Sequence, residues 1–270
     1  MKHIRRLYTT IVIGFLAGGC PAFFCSTAPA HAESPAYRPD DVIARVHETY
    51  DRVYSASGLI TRIIEVDDKE PDILNGRFAI KKPDHMLVEF MGKLRYFNGY
   101  DGITFRVYFP EENRGYYQET NRMKSLEKFV LGPGPYFGNM LKLADSGFTF
   151  EITDHYQGNL VLKATPGNPL KIAYILFGID PKSWTIGVVE YFDKNNELVS
   201  QTRFNSFRTF GNNLFIPTSV TTTTLEGGGL VVEKTLLTRV ELNIPIEEEV
   251  FRIPSDNRTE WIASSVREKP

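Results

Sequence analysis

From residue 58 onward, the chain alternates apolar and polar residues in short runs, and pairs of turn-forming residues separate most of the runs. Examples of the runs are Leu59–Val66, Phe148–His155 and Leu230–Leu242, and Asn98-Gly99 and Asp101-Gly102 are two of the turn pairs. Such alternation places the apolar side chains of a strand on one face, and turns at hairpin spacing make neighbouring strands antiparallel. We therefore expect a mainly β protein with about 10–11 strands, in a sheet wide enough to curl or close.

An amphipathic helix is predicted just before the strands. Pro39–Asp41 can start it, because acidic side chains are favoured at the positive end of the helix dipole. Val42, Val46 and Tyr50 follow at four-residue spacing and share one stripe of that helix. The helix should end near residues 55–58, and its apolar stripe must pack on another element.

A second helical region interrupts the strands at residues 119–146. Leu126 and Phe129 belong to one helical stripe, and the residues from Gly132 to Pro135 alternate glycine with proline. We expect a short helix on each side of this break, and the break lets the two move separately.

Residues 1–32 have the pattern of an export signal. A basic start at Met1–Arg6 precedes an apolar stretch at Ile11–Phe24 that is too short to span a bilayer comfortably. Ala30-His31-Ala32 then supplies the small residues that signal peptidase requires. The pattern predicts a cleaved signal peptide, a mature N-terminus at Glu33 and export to the periplasm.

Two other outcomes at this end stay open. The apolar stretch could remain as an uncleaved anchor, or Cys20 could be acylated, because Ala17-Gly18-Gly19 before it approximates a lipobox. Beyond the signal, we expect one domain at residues 33–254 and a polar, loosely held tail at residues 255–270.

Charge gives no reason to expect a nucleic-acid partner. The whole chain has 31 basic and 33 acidic residues. The signal holds Lys2, Arg5 and Arg6 and no acid, so the mature chain keeps 28 basic residues and a net charge of -5. A protein that binds nucleic acid or anionic lipid by bulk charge would be basic.

The residue types that catalysis usually needs are scarce. Cys20 and Cys25 both lie in the export signal, so the mature chain has no thiol. His47, His85 and His155 have no partner at metal-binding spacing, and the chain contains no H-E-x-x-H and no G-x-S-x-G motif. We expect a protein that is not an enzyme, with no cofactor and no metal site.

One strand is apolar on both faces. Ile172–Ile179 carries apolar side chains at nearly every position. Such a strand is buried on both sides in an ordinary core, or it belongs to a curved sheet whose concave face holds an apolar ligand under a helical lid. The pattern alone leaves both interpretations open.

Three segments resemble the LolA family, the periplasmic carriers of outer-membrane lipoproteins. Gly76–Phe90 (GRFAIKKPDHMLVEF) is similar to the family's G-x-F-x-x-K-x-P double strand. Asn98–Pro110 (NGYDGITFRVYFP) resembles its D-G-x-x-x-W-x-Y-x-P segment, with Phe105 in place of Trp. Val240–Pro254 (VELNIPIEEEVFRIP) resembles its closing L-N…F-x-x-P segment. The three occur in the family's order and frame most of residues 39–254.

The resemblance implies an incomplete, strongly curved antiparallel barrel covered by helices, with a hydrophobic cavity for acyl chains. An incompletely filled interior is therefore expected. The residues expected to line the cavity come from the strands of the first two segments and from the helices: Phe78, Ile80, Val88, Phe90, Phe105, Val107, Val46, Tyr50, Leu126 and Phe129.

The resemblance also implies partners and a latch. An inner-membrane ABC-type release complex would load a monomeric carrier, and an outer-membrane lipoprotein acceptor would unload it. The family often has Arg directly before the Pro of the first segment, where it is thought to hydrogen-bond the backbone of the lid. Here that position is Lys82, which keeps the charge but lacks the planar fork of Arg.

Other functions are compatible with the same resemblance. One is a lipid-binding sensor or regulatory protein of the RseB type, and another is an acceptor anchored to the outer membrane through Cys20. A small exported enzyme or a structural β protein is the remaining class. A polar pair converging in the cavity would favour the enzyme.

Overall fold

The computed structural model describes residues 37–67, 69–92, 94–119, 147–156, 158–167, 172–226 and 229–263. The predicted export signal, including Cys20 and the cleavage site, lies outside the described residues. So do Leu126, Phe129 and the rest of the second helical region, apart from Glu119.

The described chain is mainly β, as the alternating pattern predicts. One helix, α1 at Pro39–Asp51, precedes fourteen strands. Short 3₁₀ turns occupy Pro110–Glu112, Gly211–Asn213 and Glu248–Phe251. The strands are β1 Ser55–Val66, β2 Asp72–Lys81, β3 His85–Met91, β4 Tyr96–Asp101, β5 Thr104–Phe109, β6 Arg114–Glu119, β7 Phe148–Tyr156, β8 Asn159–Pro166, β9 Ile172–Asp180, β10 Thr185–Asp193, β11 Leu198–Phe210, β12 Leu214–Glu226, β13 Gly229–Leu242 and β14 Glu260–Ala263.

All fourteen strands form one curved sheet. From β1, the chain adds β2 to β6 on one side, continues at the far edge with β7, and returns strand by strand to β13, which pairs with β1. Every pairing is antiparallel except that of β14 with β6, which is parallel. The sheet that the described strands form is not closed, and β14 and β7 are its edges.

Two predictions about local boundaries are wrong. The helix ends at Asp51, and Ser55 already starts β1, so the predicted end near residues 55–58 is too late. Asn98-Gly99 was expected to form a turn but lies inside β4. Ile253 packs onto that glycine, where a Cβ would come within 2.9 Å of its Cδ1 atom. The absence of a side chain at Gly99 therefore allows Ile253 to approach the strand closely, and it does not mark a turn.

The sheet has a defined inner face, because directly opposed residues on neighbouring strands point the same way. Following the registers from Ile60 through Leu237 and Val220 to Phe177 stays on one face. That face carries two apolar clusters, and α1 packs against it. We call it the inner face.

The helix cluster joins α1 to strands β7–β12. Its buried members are Val42, Val46, Tyr50, Phe148, Leu160, Leu162, Ala164, Ile172, Ile175, Phe177, Ile179, Ile186, Val189, Tyr191, Phe204 and Val220. The strand cluster occupies β1–β5 with parts of β12 and β13. Its buried members are Val53, Ala56, Ile60, Ile64, Leu74, Phe78, Ile80, Met86, Phe90, Tyr96, Val107, Phe109, Leu214, Ile216 and Leu237.

The sequence predicts a loosely held segment after Pro254. The described part of this segment, residues 255–263, is instead attached to the sheet. Glu260–Ala263 pairs with β6 as β14. Trp261 packs onto the outer face, where its ring lies 6.0 Å from that of Tyr108. A Cβ at Gly115 would come within 2.4 Å of the Trp261 ring. An aromatic anchor and a backbone ladder hold a segment whose composition is polar.

No helix among the described residues is long and apolar enough to cross a membrane.

Candidate functional site

The six strand residues expected to line a cavity lie together on the inner face. Phe78, Ile80, Phe90 and Val107 are buried members of the strand cluster. Val88 and Phe105 are half-buried and pack against it. Alternation within β2, β3 and β5 brings them together, because each strand contributes every second residue. Their role in binding stays a prediction.

Aromatic rings dominate this part of the inner face. The Phe90 and Tyr96 rings lie 4.8 Å apart, and Phe109 lies 5.8 Å from Tyr96. Tyr116, opposite Val107, meets Phe109 edge to face at 6.2 Å and keeps 38% of its surface exposed. The strand cluster is therefore a largely aromatic wall that is still reachable from solvent at Tyr116 on β6.

The two helix residues predicted for the cavity lie in the other cluster. Val46 and Tyr50 are buried against β7–β12 rather than beside the six strand residues. The Tyr50 hydroxyl accepts a hydrogen bond from the Ile186 main-chain N–H at 3.2 Å. Burial raises the pKa of Tyr50 to about 12. The C-terminal end of α1 is thus tied to the start of β10.

Lys82 lies directly after β2 and contacts the same end of the helix. Its ammonium donates a hydrogen bond to the Tyr50 carbonyl and lies 3.6 Å from Asp51 Oδ1. Its own main-chain N–H donates to the Tyr54 carbonyl at 2.8 Å. Burial lowers the pKa of Lys82, although the Asp51 carboxylate acts in the opposite direction. A cation at the C-terminus of a helix also complements its dipole.

A polar band separates the two clusters on the inner face. Arg62 on β1 forms an ion pair with Glu233 on β13, and these side chains are 14% and 22% exposed. On β11 and β12, Ser200 bonds Thr224 and Thr202 bonds Thr222, each at 3.0 Å between the hydroxyl oxygens. The apolar surface of the inner face is therefore divided into two parts rather than continuous.

Sequence reasoning also missed two amides on the inner face. Asn98 on β4 lies opposite Val88 and Val107, and Gln118 on β6 lies opposite Phe105. Their two-residue spacing from Tyr96, Tyr100 and Tyr116 was a usable signal, but the turn assigned to Asn98-Gly99 hid it.

A recess of about 380 Å³ lies on the opposite, outer face, beneath the C-terminal segment. Most of its charged groups are already paired: Asp101 with Arg106, and Glu248 with Lys81 and His85. Within the described ranges, no group of His, Cys, Asp and Glu could hold a metal ion.

No protein-family model and no curated protein matches this sequence. Solved structures do match its fold. A LolA superfamily protein from Nitrosomonas europaea covers 81% of this chain and 99% of its own length, with 11% identity and a TM-score of 0.57. A domain assigned to outer-membrane lipoprotein sorting, from Vibrio parahaemolyticus, covers 79% and 97%, with 13% identity and a TM-score of 0.58.

A DUF1329 family protein from Desulfovibrio piger covers 79% of this chain and 95% of its own, with 13% identity and a TM-score of 0.60. At such low identity these matches concern the fold, and they agree with the three sequence segments that pointed to the same family. The chain has the fold of the LolA superfamily.

Proposed function

We propose that this protein is a periplasmic carrier that binds the acyl chains of lipoproteins, or of related lipids, and transfers them from the inner to the outer membrane. The observation that supports the proposal is the strand cluster: an aromatic, partly accessible wall on the inner face of a sheet that is not closed. Phe105 and Val88 are its half-buried contact points.

The energetics favour such a role. An acyl chain cannot cross an aqueous compartment unshielded, and each methylene removed from water contributes about 0.8 kcal/mol. Covering a dozen methylenes is therefore worth about 10 kcal/mol. The proposed chemistry is binding and handover, with no bond made or broken.

Transfer also requires release, and we place the latch at the C-terminal end of α1, which leads into Val53 of the strand cluster. Two polar contacts hold this end, one from Lys82 to the Tyr50 carbonyl and one from the Ile186 N–H to the Tyr50 hydroxyl. The stripe of Val42, Val46 and Tyr50 is buried on β7–β12, so opening would be local to this end and would leave the rest of the helix and the sheet in place.

The partners follow from the direction of transfer. A monomeric carrier would receive its ligand from an ABC-type release complex in the inner membrane. It would deliver the ligand to a lipoprotein acceptor in the outer membrane. The proposal places the protein in the periplasm through a cleaved signal, so N-terminal sequencing should find Glu33. A lipid-modified Cys20 would favour an anchored acceptor instead.

The test is acyl transfer between two vesicle populations, followed with a pyrene-labelled diacylglycerol. We expect the purified protein to accelerate transfer in proportion to its concentration, and mass spectrometry to find acyl lipids that co-purify with it. Phe105→Asp should abolish the acceleration, because a carboxylate in the apolar wall opposes burial of the chain.

Phe215→Asp is the matched control. Phe215 lies on the other face of β12 from Ile216 and is 36% exposed, so a charge there should leave transfer unchanged. If neither the wild-type protein nor the control transfers or retains any acyl lipid, the proposed function is wrong.

A further inference from the structure

Two amide side chains interrupt an otherwise apolar part of the inner face. The inner positions of β3, β4 and β5 are apolar or aromatic at every place except Asn98. On β6, Gln118 follows Tyr116 on the same face. These positions belong to the wall that the proposed function assigns to acyl chains.

One atom of each amide is buried without a hydrogen-bond partner among the described residues. The unpartnered atoms are Oδ1 of Asn98 and Nε2 of Gln118, and Gln118 as a whole is only 5% exposed. Buried amide groups are nearly always hydrogen-bonded, because an unsatisfied one loses its hydration with no compensation. An apolar residue of similar size would avoid this cost.

The two atoms have complementary chemistry and belong to side chains on the same face of the sheet. Asn98 and Gln118 are separated by β5, about 10 Å across the strands and about 7 Å along them at ordinary strand spacing. The diagonal between them crosses β5 between Phe105 and Val107. One atom is an acceptor and the other a donor.

We propose that Asn98 and Gln118 form a subsite for the uncharged linkage of an acyl ligand, an inference that rests on the proposed function. Gln118 Nε2 donates to the carbonyl oxygen of an acyl ester or acyl amide. Asn98 Oδ1 accepts from an amide N–H or a hydroxyl next to that carbonyl. The ligand class is therefore an acyl ester or acyl amide rather than a plain hydrocarbon.

The subsite consists of two uncharged amides, and this determines which ligand groups it can accept. Arg62 on β1 and Arg114 on β6 are cations on the inner face, and they are already paired with Glu233 and Glu260. The two amides are neutral and suit a neutral linkage. We accordingly expect a free carboxylate or phosphate directly at this subsite to bind less well than an ester, because it would lose hydration without a counter-charge.

Displacement of a fluorescent acyl probe tests the subsite with three uncharged ligands of similar length: heptadecane, methyl palmitate and N-methylpalmitamide. Wild-type protein should prefer methyl palmitate to heptadecane by about fivefold, which corresponds to about 1 kcal/mol for one neutral hydrogen bond. It should prefer the amide further, because that ligand also carries an N–H.

The two amides can be tested separately. Gln118→Leu should abolish the preference for the ester over heptadecane, because heptadecane makes no hydrogen bond that the variant could lose. Asn98→Leu should remove the additional preference for the amide over the ester and keep the preference for the ester over heptadecane, because methyl palmitate has no donor. If the leucine variant folds poorly, Gln118→Met can replace it, because methionine also lacks the amide donor. Asn205→Leu, on the exposed outer side of β11, is the control and should keep the ligand preferences of wild-type protein.

The possible outcomes distinguish a failure of the proposed function from a failure of the subsite. If no ligand displaces the probe from wild-type protein, the proposed function fails. If all three ligands displace it equally well, or if Gln118→Leu weakens heptadecane as much as the ester, acyl binding stands and the subsite is wrong.

Discussion

The helix cluster and the strand cluster lie on the same face of one sheet, yet they are packed differently. In the helix cluster, Leu160, Ile175 and Phe177 are completely buried. In the strand cluster, Tyr96 is completely buried, but Ile60 and Met86 keep 9% of their surface exposed. Half-buried side chains border both clusters, such as Val88 and Phe105 here and Phe150 and Ile152 at the helix cluster. The helix covers the first cluster, and the described residues include no helix over the second.

The difference indicates a division of labour within the sheet. A fully covered core contributes stability, because every methylene in it is removed from water. A partly covered apolar wall contributes less stability, but it offers surface that a ligand can cover. The strand cluster is therefore the better candidate for binding, and the helix cluster for holding the sheet in shape.

Truncating one phenylalanine in each cluster should give the largest measurable difference between the two clusters. Phe177→Ala should lower the free energy of unfolding by about 4 kcal/mol, because it leaves a cavity in a fully buried site. Phe105→Ala should cost about 1–2 kcal/mol and weaken the acyl probe at least tenfold. Denaturant unfolding and probe titration measure both. Equal effects on stability would mean that the two clusters are one ordinary core.

The two tryptophans allow a second, more local comparison. Trp261 packs on Gly115 and Tyr108, beside the strand cluster, and Trp184 packs on Tyr37 and under Arg45, beside α1. Trp261→Ala should lower the stability by about 2–3 kcal/mol, because it removes the anchor of β14.

Hydrogen exchange would localise that effect. It should rise in β5 and β6 of the Trp261→Ala variant and stay unchanged in α1. Trp184→Ala is the matched control and should show the reverse pattern. Exchange that rises uniformly in both variants would show that the two regions unfold as one unit.

Alkaline pH probes the buried hydroxyl of Tyr50 in the helix cluster. The folded-state pKa of Tyr50, about 12, exceeds the ordinary value near 10, so the folded protein holds this proton longer than the unfolded chain. The stabilising contribution is complete below pH 10 and is lost as the pH rises through 12, by about 2 kcal/mol.

Tyr50→Phe isolates this contribution from that of other buried tyrosines. At pH 7 the variant should be about 1 kcal/mol less stable than wild type, because the Ile186 N–H loses its acceptor. Above pH 10 the difference should shrink and then reverse. A stability difference that does not vary with pH would contradict burial of the Tyr50 hydroxyl.

Lys82 links the two regions, because it follows a strand of one cluster and binds the helix of the other. Lys82→Leu should lower the stability by about 1 kcal/mol and raise hydrogen exchange in α1 several-fold. Ligand release should accelerate accordingly. Lys81→Leu is the control, since Lys81 points to the other face and pairs with Glu248. Equal protection of α1 in both variants would make Lys82 an ordinary surface lysine.

Local chemistry made several features predictable from the sequence. The stripe of Val42, Val46 and Tyr50 defined α1, and Asp101 defined a turn by accepting the N–H groups of Ile103 and Thr104. Strand alternation also grouped the six expected lining residues on one face. In each case the cause lies within a few residues of the chain.

Three strands escaped prediction for the opposite reason. β4 contains Asn98-Gly99, a pair that locally favours a turn, and it is a strand because Ile253 packs on the glycine. β6 and β14 are short and polar, and each is stabilised by the other and by Trp261. Contacts between residues about 150 apart in sequence override the local preference.

The sequence by itself therefore determined that this chain forms an amphipathic helix and a wide antiparallel sheet, because 3.6- and 2-residue periodicities are properties of short segments. The tertiary structure alone decided that β13 pairs with β1, that α1 covers one cluster and leaves the other accessible, and that two amides with unpartnered atoms lie on the inner face. These features depend on the curvature and register of a fourteen-stranded sheet, and no single segment specifies them.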